Sequence, residues 1–151
     1  MFFRFTLSLC FLLSNVTGLF AQIAPSRTAL LGTWEFRQGG MLKSFTGYTT
    51  FRPDGTCLQI GRGKTLGMTK WIYVETHWRL EGDQVVASVT RSSIGLPIGK
   101  STTSRIIRLT ASEFTYREAG DSADRTEHRI AQVPPDFQRQ LVELQQKATG
   151  K

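Results

Sequence analysis

The chain of 151 residues carries 19 Lys and Arg against 12 Asp and Glu, a formal charge of +7, with 40% hydrophobic residues and two cysteines. That length suits one domain. The composition is too apolar and aromatic for a disordered chain, and too poor in cysteine for a disulfide scaffold.

Residues 1–21 read as an export signal rather than as part of the fold. Arg4 is the only early charge, an apolar run covers Phe5 to Leu13, and the segment ends on the small residue Ala21, after which cleavage is expected. Ser14, Asn15, Thr17 and Gly18 interrupt the run, whereas a membrane span needs ~20 mostly apolar residues. Cys10 comes too early for a lipidation site and lacks a small residue before it. Removal of the segment takes away Arg4 and Cys10. Cys57 then stands alone, so no internal disulfide can form. Secreted animal domains usually carry bridges, so the expected address is a bacterial periplasm or the extracellular space.

After a short leader over 22–29, turn signals divide the chain into eight β-type runs: 32–37, 44–52, 56–61, 70–80, 84–91, 102–110, 113–118 and 125–132. Alternation supports several of them. In the fourth run Ile72, Val74, Trp78 and Leu80 share one face, and Glu75, His77 and Arg79 the other. Val85, Ala87 and Val89 alternate with polar residues in the fifth, as do Phe114 and Tyr116 in the seventh. Pro134-Pro135 stops the last run. Phe137, Leu141, Leu144 and Ala148 then recur at helical spacing, so residues 135–148 are predicted to form an amphipathic helix ending near Gly150. Its apolar stripe needs a partner, either the outside of the sheet or the groove of another protein.

These runs predict an all-β fold: an eight-stranded antiparallel up-and-down barrel over 30–132, closed on itself, with a C-terminal α-helix. Arg52–Gly55, Glu81–Asp83 and Thr110–Ser112 read as tight turns, whereas 38–43, 62–69, 92–101 and 119–124 read as longer loops. In a meander the two sets lie at opposite ends, giving a tightly laced base and a long-looped mouth.

Gly32-Thr33-Trp34 opens the first strand, and Glu127-His128-Arg129 lies on the eighth. Between them come Tyr48–Thr56, Trp78–Asp83 and Leu109–Phe114, in that order. Together these motifs resemble the lipocalin-like (calycin) domains of small bacterial exported proteins, over about residues 30–132. The resemblance implies that Gly32, Trp34 and Arg129 form the closed end, the arginine packing over the tryptophan, although Ile130 competes for the inward face. The usual lipocalin disulfide and the second strand-connection motif are not recognisable here.

No catalytic constellation stands out, and no enzyme is expected. Gly61-Arg62-Gly63-Lys64-Thr65 has a phosphate-loop flavour, but Leu58 occupies the position of the required upstream glycine and a strand follows. His77 and His128 are single, which implies no metal site. Cys57 has no neighbouring histidine in sequence and reads as a buried thiol. No cofactor is implied.

The charge is expected to be polarised. Lys43, Arg62, Lys64, Lys70 and Lys100 fall at the mouth, beside Leu42, Leu66, Met68, Ile94, Leu96 and Ile98. Asp54, Glu81, Asp83 and Glu113 fall at the base. Such a mouth would attract a fatty acid, a lipid or an anionic membrane surface, whereas nucleic acid is not expected for an exported chain whose aromatics do not interleave with its basic residues. The first reading is a carrier of a small apolar or anionic amphipathic ligand, its cavity walled by Phe36, Phe51, Val74, Trp78, Val89 and Phe114. The second is a non-catalytic envelope barrel that binds a protein partner or a membrane surface through its loops or helix. A β-barrel of the outer membrane is disfavoured, because Glu75, Arg79 and Arg117 face outward and the chain ends in a helix.

Overall fold

The computed structural model describes residues 22–40 and 42–149. The export signal expected over residues 1–21 lies outside them. The strands are β1 (Gly32–Gly39), β2 (Lys43–Phe51), β3 (Thr56–Thr65), β4 (Met68–Glu81), β5 (Gln84–Ser92), β6 (Ser101–Leu109), β7 (Glu113–Glu118) and β8 (Arg125–Ile130). A short helix α1 (Arg27–Leu30) precedes them and α2 (Pro135–Thr149) follows. Each strand pairs antiparallel with its sequence neighbour, and β8 returns to β1, so the sheet closes as an up-and-down barrel.

Inward residues follow the period of two and fill the lower barrel with aromatic rings. Phe51 meets Trp78 edge-on at 5.0 Å, and Phe114 lies 5.6 Å from Trp34 and 6.2 Å from Phe51. Leu30, Ile106 and Leu109 complete this core. The leader contributes α1, a single turn capped by Ser26, whose hydroxyl accepts a bond from the Ala29 amide at 3.1 Å. It plugs the base: Leu30 is fully buried, and its carbonyl accepts the Trp34 indole N–H at 2.8 Å. Arg129 lies over the Trp34 ring at 4.0 Å. Its guanidinium donates to the carbonyls of Leu31, Ala29 and Ala111 at 2.5, 2.6 and 2.7 Å.

The helix α2 lies on the outside of the barrel. Pro135 opens it, where a missing N–H costs no intrahelical bond. Phe137 is buried edge-on against Tyr48 at 4.6 Å and Trp71 at 4.8 Å, and Ile60 and Tyr73 extend the same outer surface. Arg62 stacks over Phe137 and Trp71 and donates to Asp136 at 3.1 Å.

The connections differ from the sequence reading at the mouth. The segment 62–69 is not a long loop. Arg62–Thr65 and Met68–Lys70 continue β3 and β4, and a two-residue turn, Leu66-Gly67, joins them. Both turn residues have positive φ, 47° and 81°. That is the mirror-image turn whose twist suits a hairpin. The β1–β2 connection is also short, 40–42, so that pole combines two tight hairpins with the longer 93–100 and 119–124 loops. Gly63, expected in that loop, and Gly61, expected to end the third strand, both sit in regular pairing, opposite Lys70 and Ile72.

Two outcomes are expected. Leu66 is 75% exposed in a left-handed conformation that a leucine side chain disfavours. Leu66→Asn should raise stability by about 0.5–1 kcal/mol in denaturant titration. Arg129→Lys should cost on the order of 2–3 kcal/mol in the same measurement, because an ammonium cannot cover a ring and span three carbonyls as the planar fork does.

Candidate functional site

Above the aromatic floor the barrel is not filled. A cavity of about 180 Å³ runs between β1–β4 and β7–β8, with Phe36, Phe45, Ile72 and Val74 on its apolar side. A second space of about 50 Å³ adjoins it over Phe51 and Phe114. Thr49, Gln59, Tyr116, Glu118 and Glu127 border both.

The upper space has a local cause. Gly47 and Gly61 stand opposite each other on β2 and β3, and the Phe45 ring lies against both. A Cβ at Gly61 would come within 2.5 Å of that ring, and one at Gly47 within 2.8 Å. The pair lets Phe45 lie along the wall. Its ring sits 6.1 Å from that of Phe36.

The polar part centres on Glu127, which is 3% exposed. Its Oε1 accepts the Tyr116 hydroxyl at 2.8 Å and the Thr49 hydroxyl at 3.4 Å. Its Oε2 is buried with no partner, as is Thr76 Oγ1. Burial pushes the Glu127 carboxyl up to about 7, outweighing the two hydroxyl donors and the Arg125 charge. Burial likewise raises the Tyr116 phenol, reinforced by Glu127. Arg125 is committed to Glu118 at 2.7 Å and Asp121 at 2.8 Å. The Cys57 thiol is pushed up to about 12 by burial, with Thr76 partly opposing, which makes it a poor nucleophile. Among the described residues no cluster of three or more His, Cys, Asp or Glu side chains could hold a metal ion.

The residues singled out from sequence distribute as follows. Phe36 and Val74 line the larger space, and Phe51 and Phe114 the smaller. Trp78 is packed into the floor rather than lining either space, and Val89 is buried but likewise borders neither. At the mouth, Lys43, Lys64, Met68 and Lys70 are exposed on strands instead of loops, while Ile94, Leu96 and Lys100 lie in the 93–100 connection. Arg62 is a correction. It belongs to the outer face of β3, which puts it under α2 rather than at the opening. Gly32 sits at the base with φ 113°, and a Cβ there would lie 2.8 Å from Arg129 Nη1. Thr49, Gln59, Tyr116, Glu118, Arg125 and Glu127 were missed. The parity of β8, once Arg129 is placed inward, would have pointed to Arg125 and Glu127 as well.

No protein-family model matches the chain, and no curated protein matches it in sequence.

Glu127 binds its proton more tightly in the folded protein than at its ordinary value of 4.5. Its contribution is therefore most favourable below about pH 4.5 and is lost as pH rises toward 7. Glu127→Gln keeps the shape of the protonated acid without that loss. The stability of the variant relative to the parent should rise across pH 4.5–7 and level off above it, by an amount on the order of 3 kcal/mol at most. Parallel urea titrations at pH 4.5 and 8 check this; an equal difference at both pH values would contradict it.

Proposed function

We propose that this is an exported, lipocalin-like barrel whose interior binds one compact apolar ligand. The observation that carries the reading is the unfilled space of about 180 Å³ above an aromatic floor. Protein interiors seldom leave voids larger than a water molecule. An unfilled space of that volume forgoes the packing contacts that larger inward side chains would make. Cavities of about 150 Å³ are known to hold a benzene ring. The space thus suits a ligand of about one ring with a short substituent. A whole acyl chain would need more than twice as much.

The polar residues set orientation. The Tyr116–Glu127–Thr49 group and Gln59 offer hydrogen bonds, and Glu118 and Arg125 add charged groups, beside the apolar Phe36, Phe45, Ile72 and Val74. Glu118 and Glu127 share the interior with a single arginine already paired twice, so the lumen favours a neutral ligand over an anion. Export rests on the pattern of residues 1–21.

Benzyl alcohol serves as a probe. Titrated into the isotopically labelled protein, it should shift the amides of Phe36, Phe45, Val74 and Tyr116 with a Kd on the order of 0.1–1 mM. Benzoate should bind at least ten-fold more weakly. Shifts confined to the outer surface, or none at all, would refute cavity binding.

A further inference from the structure

The barrel is uneven in height. β1 pairs with β8 only through residues 33–35, and β4 pairs with β5 only from Val74 onward. Beyond those points β1–β4 continue together as a four-stranded sheet, to Gly39↔Ser44, Lys43↔Thr65 and Thr65↔Met68. This projection ends in two adjacent hairpin tips. Their apolar residues are among the most exposed in the molecule: Leu42 at 69%, Leu66 at 75% and Met68 at 71%. Lys43, Lys64 and Lys70 surround them, and among the described residues none of these lysines makes an ion pair. Residues 36–53 and 55–74 contain no Asp or Glu.

We infer that these hairpin tips dock on an anionic lipid surface. Three features select that occupant. The apolar side chains are exposed on the two tips around a wide, open depression that they share with Lys43 and Lys64, so they suit a soft surface that can follow it and not the rigid side chain of a folded partner. The unpaired lysines ring them at the height of charged headgroups, where each adds attraction that falls off within a Debye length. The arms that carry them hold no acid to repel such a surface. The long axis of the projection then stands on the bilayer, with Leu42, Leu66 and Met68 in the interfacial layer and Lys43, Lys64 and Lys70 at the headgroups.

Flotation of the purified protein with vesicles tests this. Phosphatidylglycerol–phosphatidylcholine vesicles should capture it at low salt and release it at high salt, while pure phosphatidylcholine should not capture it. Lys64→Gln should weaken capture about five-fold. Arg52→Gln, at the opposite pole, removes the same charge and should leave capture unchanged. Leu66→Asn with Met68→Ser should weaken it further, and the Asn change favours the turn, so unfolding does not explain that loss. Absence of capture by anionic vesicles would overturn the inference. So would equal losses from Lys64→Gln and Arg52→Gln, which would mean attraction by net charge alone. Binding to polyglutamate but not to vesicles would overturn it in favour of an acidic polypeptide.

Discussion

The barrel closes on a seam of three residue pairs, Thr33–Ile130, Trp34–Arg129 and Glu35–His128. With three pairs it is the shortest ladder of the sheet. Arg129 compensates by joining pieces that the seam does not reach. One guanidinium ties the carbonyls of α1, of the residue leading into β1 and of the β6–β7 turn, while its face covers Trp34. Hydrogen bonds from a charged donor are individually stronger than neutral ones, and here three converge in a partly buried place. The position of the floor follows from this. Trp34 is held from above by Phe114 and from below by Arg129 and the Leu30 carbonyl, so the aromatic layer has a fixed height.

The upper half obeys a different constraint. β4 has 14 residues, whereas β7 and β8 have 6 each. Strands of unequal length cannot all close, so part of β1–β4 must stand free of the ring. A free sheet with both faces in water would be marginal. The helix α2 covers the outer face of that region where it leaves the barrel, with Phe137 wedged between Tyr48 and Trp71 and with Arg62 bridging ring and carboxylate. The apolar stripe of the helix and the aromatic outer residues of β2 and β4 satisfy one another. The edges beyond, Phe36–Gly39 and Met68–Tyr73, carry Arg37 and Lys70, the kind of charge that discourages edge-to-edge pairing.

Much of this fold was legible in the sequence. Turn signals divided the eight strands and period-two alternation supported several of them, the turn residues at 52–55, 81–83 and 110–112 marked the base, and the spacing of Phe137, Leu141 and Leu144 marked the helix. The misreadings share one cause. Gly61, Gly63 and Gly67 look alike in sequence, yet only Gly67 occupies a turn with positive φ; Gly61 and Gly63 are strand residues serving a neighbour's ring and the pairing ladder. Ending the third strand at Gly61 and placing Gly63 in one loop with Gly67 moved Arg62 and Lys64 off their strand and concealed which face each occupies. The interior acid escaped for a related reason. A single-residue choice of parity on β8 decides whether Glu127 faces water or the core, and a charged residue is ordinarily assigned to water. Irregular pairing beside Thr90 and Ile107 blurs that parity further on β5 and β6.

Two strand glycines, Gly47 and Gly61, shape the cavity. Glycine is poorly suited to a strand, since it adds backbone freedom and packs no side chain. At 47 and 61 that cost has a direct return in shape. Any side chain there would collide with the Phe45 ring and turn it into the lumen, where it would occupy the space that Phe36, Ile72 and Val74 now border. Below, the opposite choice prevails: Trp34, Phe51, Trp78 and Phe114 pack together with Leu30, Cys57, Val85, Ile106 and Leu109. The boundary between the filled and unfilled halves runs through Thr49, Gln59, Tyr116 and Glu127, the level at which polar side chains replace apolar ones. The interior thus changes from large apolar rings to a hydrogen-bonded polar layer, and then to space cleared by paired glycines.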